Sequence, residues 1–262
     1  MLHWVHQFSD LTILFGFLIV MLSTFSTAPL LISRVFRLKP NEPREKAALE
    51  GFRAICGMIG IVLGFSLVQA NGNLASGEAH VVKTASLIQA IDRNLLRSGN
   101  SELVALRPAL AAYGRSLIDD EWPKLAKGER SAKTTEAYTV LSKSIRSVDV
   151  NGDRAKSIFE ELMRQLDDLA DIRETIIATA EPSTAGLPSF FWITILSMLS
   201  ISLLLAGFCA PNISGIVSIG ATASAMSLLL SFLIIADLPF EGQTSVSPTA
   251  IKNALVLNAQ RK

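Results

Sequence analysis

The sequence predicts an all-α integral membrane protein: four transmembrane helices, with a helical bundle inserted between the second and third. Three observations carry this. Half of the 262 residues are hydrophobic and the mean hydropathy is +0.40, too apolar for an ordinary soluble domain. Four runs approach or exceed the roughly 20 apolar residues that cross a bilayer. The charge is also segregated: residues 78–181 hold 15 Lys/Arg and 17 Asp/Glu, whereas the apolar runs on either side are nearly free of charge. The expected boundaries are 1–76 for the first two membrane helices and their basic loop, 77–186 for the soluble bundle, 187–236 for the third and fourth membrane helices, and 237–262 for a C-terminal segment.

The first run covers residues 11–36. It does not read as a cleaved signal peptide, because residues 1–10 contain no Lys or Arg and no small-x-small cleavage site follows before Arg34. Pro29 lies inside the run, a kink that membrane helices tolerate when neighbours satisfy the freed carbonyl. The second run, 54–70, ends in Asn71-Gly72-Asn73, which reads as a turn or helix break. The third and fourth, 187–210 and 213–236, are separated only by Pro211 and Asn212 and are expected to form a tight antiparallel hairpin. Trp4, Phe8, Phe190, Phe191 and Trp192 stand where interfacial aromatics belong. Arg34, Arg37, Lys39, Arg44, Lys46 and Arg53 join the first two runs. By the positive-inside rule this loop is cytoplasmic, and both termini and the bundle are expected on the far side.

Apolar residues in the inserted segment recur in steps of three and four: Val81, Ala85, Ile88, Leu95; Leu103, Leu106, Leu110, Tyr113, Leu117; Tyr138, Leu141, Ile145, Val148; Ile158, Leu162, Leu169, Ile172, Ile176. That is amphipathic helix, four of them, with breaks at 98–101, 123–131 and Asn151-Gly152. Ser101 and Ser131 are the expected N-caps, and Ser247-Pro248 is read as cap plus first-turn proline of a last short helix.

The residues give no positive support for an enzyme. His3 and His6 lack a third ligand nearby, and His80 stands alone. The run from Asp149 to Asp153 resembles the start of a calcium loop, but its Gly152 comes too early, so it reads as a turn. Asp119, Asp120 and Glu121 read as a solvated face, as do Asp167, Asp168 and Asp171. There is no phosphate loop, nucleophile elbow or zinc-protease motif; no cofactor and no metal are expected. A net charge of +1 gives no argument for nucleic acid. Cys56 and Cys209 lie in apolar runs, where a thiol acts as a small hydrophobe.

The second run is two-faced. Gly57, Gly60 and Gly64 fall on one side, Gly60 and Gly64 forming a G-x-x-x-G pair suited to close helix contact, and Gly220 adds a small residue to the fourth run. Ile59, Val62, Ser66, Gln69 and Asn73 align on the other side and grow more polar toward one end. That side either lines a water-filled path narrowing to an apolar constriction or hydrogen-bonds to a neighbouring helix. No ionisable group lies inside any run, which argues against proton-coupled transport.

Several local patterns occur in the order seen in the bestrophin-like membrane proteins: Gly77-Glu78-Ala79; Arg107, Leu110, Tyr113, then Asp120-Glu121-Trp122-Pro123; Leu187-Pro188 leading to Trp192; and Asp237-Leu238-Pro239-Phe240-Glu241-Gly242 followed by Val246-Ser247-Pro248. The chain resembles that family over nearly its whole length, with Glu121, Trp122, Asp237, Pro239, Phe240, Ser247 and Pro248 as the motif positions. The resemblance implies distant similarity to bestrophins, oligomeric ion channels whose second membrane helix lines the pore. It would make this chain a multi-pass homo-oligomeric channel of the cell membrane, the bacterial inner membrane, with small ions, the lipid bilayer and copies of itself as partners. Carried over, it assigns the lining to Ile59, Val62, Ser66, Gln69 and Asn73. The rival expectation is a membrane-anchored sensor or scaffold whose bundle binds a ligand or protein without conducting.

Overall fold

The computed structural model describes residues 8–37, 41–149, 152–181 and 186–261, and the described residues are helical without a strand. His3, Trp4, His6, Lys39, Val150 and Asn151 lie outside them. The helices are α1 (Asp10–Val35), α2 (Glu42–Arg97), α3 (Ser101–Val104), α4 (Arg107–Ser116), a π-helical turn (Leu117–Glu121), α5 (Trp122–Leu125), α6 (Ala132–Arg146), α7 (Asp153–Ala180), α8 (Ser189–Gly207), α9 (Ile213–Asp237) and α10 (Thr249–Gln260). Four of them, α1, α2, α8 and α9, are long and apolar enough to span a membrane.

The chain makes two compact units, residues 1–73 with 186–245 and residues 74–185 with 246–262. The segment after Ser245 falls in the second unit, while 237–245 falls in the first.

In the first unit, α1 begins where Ser9 accepts a hydrogen bond from the Thr12 N–H at 3.2 Å, with Asp10 in the first turn where the helix dipole favours an anion. It ends where the Phe36 N–H reaches the Ile32 carbonyl and Arg37 turns into the left-handed region, φ 47°. α1 packs along α9 and against α8. Glycines permit these close approaches: a Cβ on Gly220 would meet Leu22 and Ser26 of α1 at 3.1 Å, and one on Gly207 would overlap Ile32. The core is assembled from Phe25, Phe52, Ile59, Leu63, Ile219 and Leu233, with the Phe25 and Phe52 rings 6.3 Å apart between centroids. Apolar residues such as Phe15, Ile19, Ile193 and Val217 remain exposed, which hydrocarbon tolerates and water would not.

Two sequence expectations need correction here. α2 does not stop at Asn71-Gly72-Asn73 but runs through it to Arg97. Gly72 keeps a helical φ, and the roughly 1 kcal/mol that a helical glycine costs is outweighed by apolar burial at Ala70, Val81 and Ile88. α8 stops at Gly207, so the connection to α9 is residues 208–212 rather than Pro211 and Asn212 alone. The Phe208 and Cys209 N–H groups bond to the Leu205 and Ala206 carbonyls, tightening the last turn, and Asn212 caps α9 through the Gly215 N–H at 2.6 Å.

In the second unit the core is Ile88, Leu95, Leu103, Leu110, Tyr113, Leu141, Ile145, Leu162 and Leu169, all within 2 % of full burial, each contributing about 2 kcal/mol on the usual area scale. α6 begins as read, Ser131 accepting from the Thr134 N–H at 3.3 Å. α3 is capped by Asn100 rather than Ser101, its side chain accepting from the Glu102 N–H at 2.8 Å. α10 is capped by Pro248, one residue later than expected, with the Ser247 and Thr249 hydroxyls 2.6 Å apart.

Candidate functional site

The apolar part of α2 presents one face to the core of its own unit and leaves the other open. Ile59 and Ser66, read from the sequence as pore-lining, are buried to 0 % and 1 % exposure within the chain. Val62 and Asn73 are half-buried on the flank and Gln69 is exposed. Gly57, Gly60 and Gly64 lie toward the open side, where nothing within 4 Å would meet an added Cβ. Met58, Ile61, Phe65 and Val68 share the open side, Phe65 at 72 % exposure. The open face therefore mixes large apolar residues with glycines and the Gln69 amide.

The Asp-x-Pro-Phe-x-Gly motif builds a closure in the same unit. The Leu187 N–H donates to Asp237 Oδ1 at 2.6 Å. Gly186 approaches so closely, at φ +76°, that a Cβ there would lie 2.9 Å from both Asp237 carboxylate oxygens. Pro239 and Phe240 are buried, Gly242 turns the chain at φ 81°, and the Thr244 hydroxyl donates to Asp10 Oδ2 at 2.6 Å. One short segment thus ties the end of α9 to the approach to α8 and the start of α1.

The second unit holds one buried and one partly buried ionic cluster. Arg173 Nε and Nη2 donate to both carboxylate oxygens of Glu121 at 2.9–3.2 Å, and Nη2 reaches Thr135 Oγ1 at 3.0 Å. Glu121 is 1 % exposed, so its reading as part of a solvated face is wrong; the π-helical turn that ends in Glu121 carries it inward. Asp120, the residue before it, is partly exposed and pairs with Lys133 at 3.0 Å, and Asp167 on α7 is exposed and pairs with Arg146 at 3.3 Å. The half-buried Trp122 donates from Nε1 to the Val246 carbonyl at 3.1 Å. The void beside the pair measures about 10 Å³, room for one water.

In the other cluster, Arg107 donates to Asp92 Oδ1 at 2.8 Å and to the Asn258 and Arg261 carbonyls at 2.7 and 3.1 Å. Arg261 lies 3.5 Å from Asp92, and Asn258 Nδ2 donates to the Ile88 carbonyl at 3.4 Å. A guanidinium satisfying the last carbonyls of α10 is a C-terminal cap with favourable dipole geometry.

The sequence reading missed Asp92, Arg173 and Arg261. A signal existed: Arg173 stands four residues after Leu169 and three before Ile176, and Asp92 stands four after Ile88, so each charge falls on an apolar stripe. Tyr113 is fully buried with an unpartnered hydroxyl, and burial pushes its phenol well above the ordinary tyrosine range. Tyr138, edge-on to it at 5.6 Å, is raised by the same cause and donates to the Leu166 carbonyl at 2.8 Å.

The family model for the Bestrophin-like domain matches residues 19–251. The chain belongs to the bestrophin-like family. Solved structures share its fold at low sequence identity. A bacterial bestrophin homologue from Klebsiella pneumoniae, in an isoleucine-to-threonine variant, is 14 % identical with a TM-score of 0.69, covering 95 % of this chain and 99 % of its own. The same organism's homologue phased with zinc gives 14 % and 0.67 at the same coverage. A glycine-to-alanine variant of a membrane protein gives 14 % and 0.68, again over 95 % and 99 %. No curated protein sequence matches. The four apolar helices of this bestrophin-like chain fit a membrane protein.

Proposed function

We propose that this bestrophin-like chain assembles around a symmetry axis as a homo-oligomeric ion channel of the cell membrane, with the open face of α2 lining the conduit. Membership of the family supports the channel reading, and the composition of that open face supports the lining. Glycines and an amide on the uncovered side of a spanning helix gain nothing from lipid, whereas they permit close approach of copies and contact with water. A conduit around a closed symmetry axis needs one face of one helix from each copy. On this reading Ile61, Phe65 and Val68 form the apolar constriction, Gln69 and Asn73 stand at its wetter end, and Gly57, Gly60 and Gly64 let adjacent copies of α2 come together.

The test is conductance of the purified, detergent-assembled oligomer in planar bilayers. Step-like currents that respond to substitution of Phe65 or Gln69 support the channel. An assembled, monodisperse oligomer that stays silent with monovalent and divalent salts over a wide voltage range favours a non-conducting sensor or scaffold.

A further inference from the structure

We infer that residues 75–86 of α2 are a contact between neighbouring copies of this chain, with Glu78 of one copy paired to Lys83 of the next. The inference rests on the reading that copies surround a symmetry axis, and it names the charges that fix their order and register. Within the second unit one side of this stretch is packed: Val81, Ala85 and Ile88 are buried. Ala75, Ala79, Val82 and Ser86 form the other side, and all four are exposed, Val82 at 57 %. They recur in steps of four, three and four, the heptad spacing of helices that meet along a seam. Ile61, Phe65 and Val68 keep the same alternation of steps earlier in the sequence.

The charges decide what meets this side. At 3.6 residues per turn, Glu78 and Lys83 stand roughly 70° to either side of the stripe. Both are exposed, and among the described residues neither forms an ion pair. Five residues apart on one helix, they face different ways and do not reach each other. Two parallel copies change this, because the flank carrying Glu78 then meets the flank carrying Lys83, the g-to-e pairing that sets partner choice in parallel coiled coils. The axial offset is about 7.5 Å, and a lysine side chain leans toward the N-terminal end of its helix, which brings Lys83 back toward Glu78. With an acid on one flank and a base on the other, every copy offers one of each, so the contact closes as a ring of identical head-to-tail joints. A solvated helix face would carry charges across its middle; here the middle is Ala, Val and Ser, and the charges stand at its edges. Symmetry sets the same residue of every copy at the same height, so a second copy supplies both charges in matching register.

The test uses full-length protein, purified as its detergent-assembled oligomer and treated with a short bismaleimide. Glu78→Cys and Lys83→Cys chains of different tag length, expressed together, should give the mixed covalent dimer several-fold above either like dimer. Cys56 and Cys209 are buried, and the unaltered protein is the blank. An excess of like dimers would mean a two-fold contact, and an assembled oligomer with no mixed dimer would mean that this side meets something else; either overturns the inference. A second measurement needs no added thiol. Glu78→Lys should lower the temperature at which the oligomer dissociates, and Glu78→Lys/Lys83→Glu, which restores opposite charges, should recover it, both effects shrinking at high salt. Absence of recovery counts against the pair. Conduction is read separately: mixed dimers from a silent oligomer would leave this contact standing and remove the channel, while a conducting oligomer without them would do the reverse.

Discussion

Glu121 and Arg173 form a two-pronged ion pair inside the second unit, held at 2.9–3.2 Å with both side chains under one-tenth exposed. Removing one member of such a pair strands a buried charge, which costs about 3–5 kcal/mol, whereas replacing both with apolar groups is far cheaper. Arg173→Met and Glu121→Leu should each lower the midpoint of thermal unfolding of the protein, and the double variant should recover most of the loss. Circular dichroism melts over the cycle read this directly; additive losses would mean the two charges do not depend on one another.

Tyr113 gives a pH dependence with a definite sign. Its folded pKa is raised by burial, so its stabilising share is fully present below the unfolded tyrosine value of about 10 and is lost as pH rises beyond that value toward the folded one. Tyr113→Phe removes a buried hydroxyl that has no partner. It should be neutral or stabilising by up to about 1 kcal/mol at neutral pH and should reduce the alkaline loss between about pH 10 and 12. Greater alkaline sensitivity in the variant would contradict the assignment.

Arg107 holds α10 through two carbonyls and Asp92. Arg107→Ala should cost about 2–3 kcal/mol, because the buried Asp92 then keeps only the longer 3.5 Å contact to Arg261, and speed amide exchange across residues 249–260 well before the rest of the unit. Gly114→Val should act on the same helix by another route, because a Cβ at Gly114 would lie 2.6 Å from Leu255. Exchange that rises uniformly over the whole unit would place the effect elsewhere.

The open and buried faces of α2 make a prediction about conduction. Phe65→Ala should change single-channel conductance several-fold, because Phe65 is on the open side. Ser66→Ala, one residue on, should leave it nearly unchanged, because Ser66 is buried in the protomer. A large conductance change from Ser66 with none from Phe65 would restore the earlier assignment.

How far the sequence could be read depended on the physics each residue meets. The ends of α1 and α9 were legible to within a residue or two, since the transition from apolar to polar chain marks a bilayer edge. Ser131 was legible as a cap because its hydroxyl acts locally. The inward face of α2 was not, because periodicity separates two faces without ranking them when the outside is hydrocarbon and both can be apolar. Asn71-Gly72 misled for a related reason: local turn preference is weak against the packing of a 56-residue helix. Glu121 escaped because the π-helical turn shifts its register, while Arg173, an arginine on an apolar stripe, could have been found by asking what neutralises it.

The measurement that bears most directly on the central claim is planar-bilayer recording from the purified oligomer, wild type beside Phe65→Ala. The account expects discrete currents in the wild-type protein and an altered unitary conductance in the variant. A correctly assembled oligomer that passes no current with any tested ion or voltage, in either form, would contradict it.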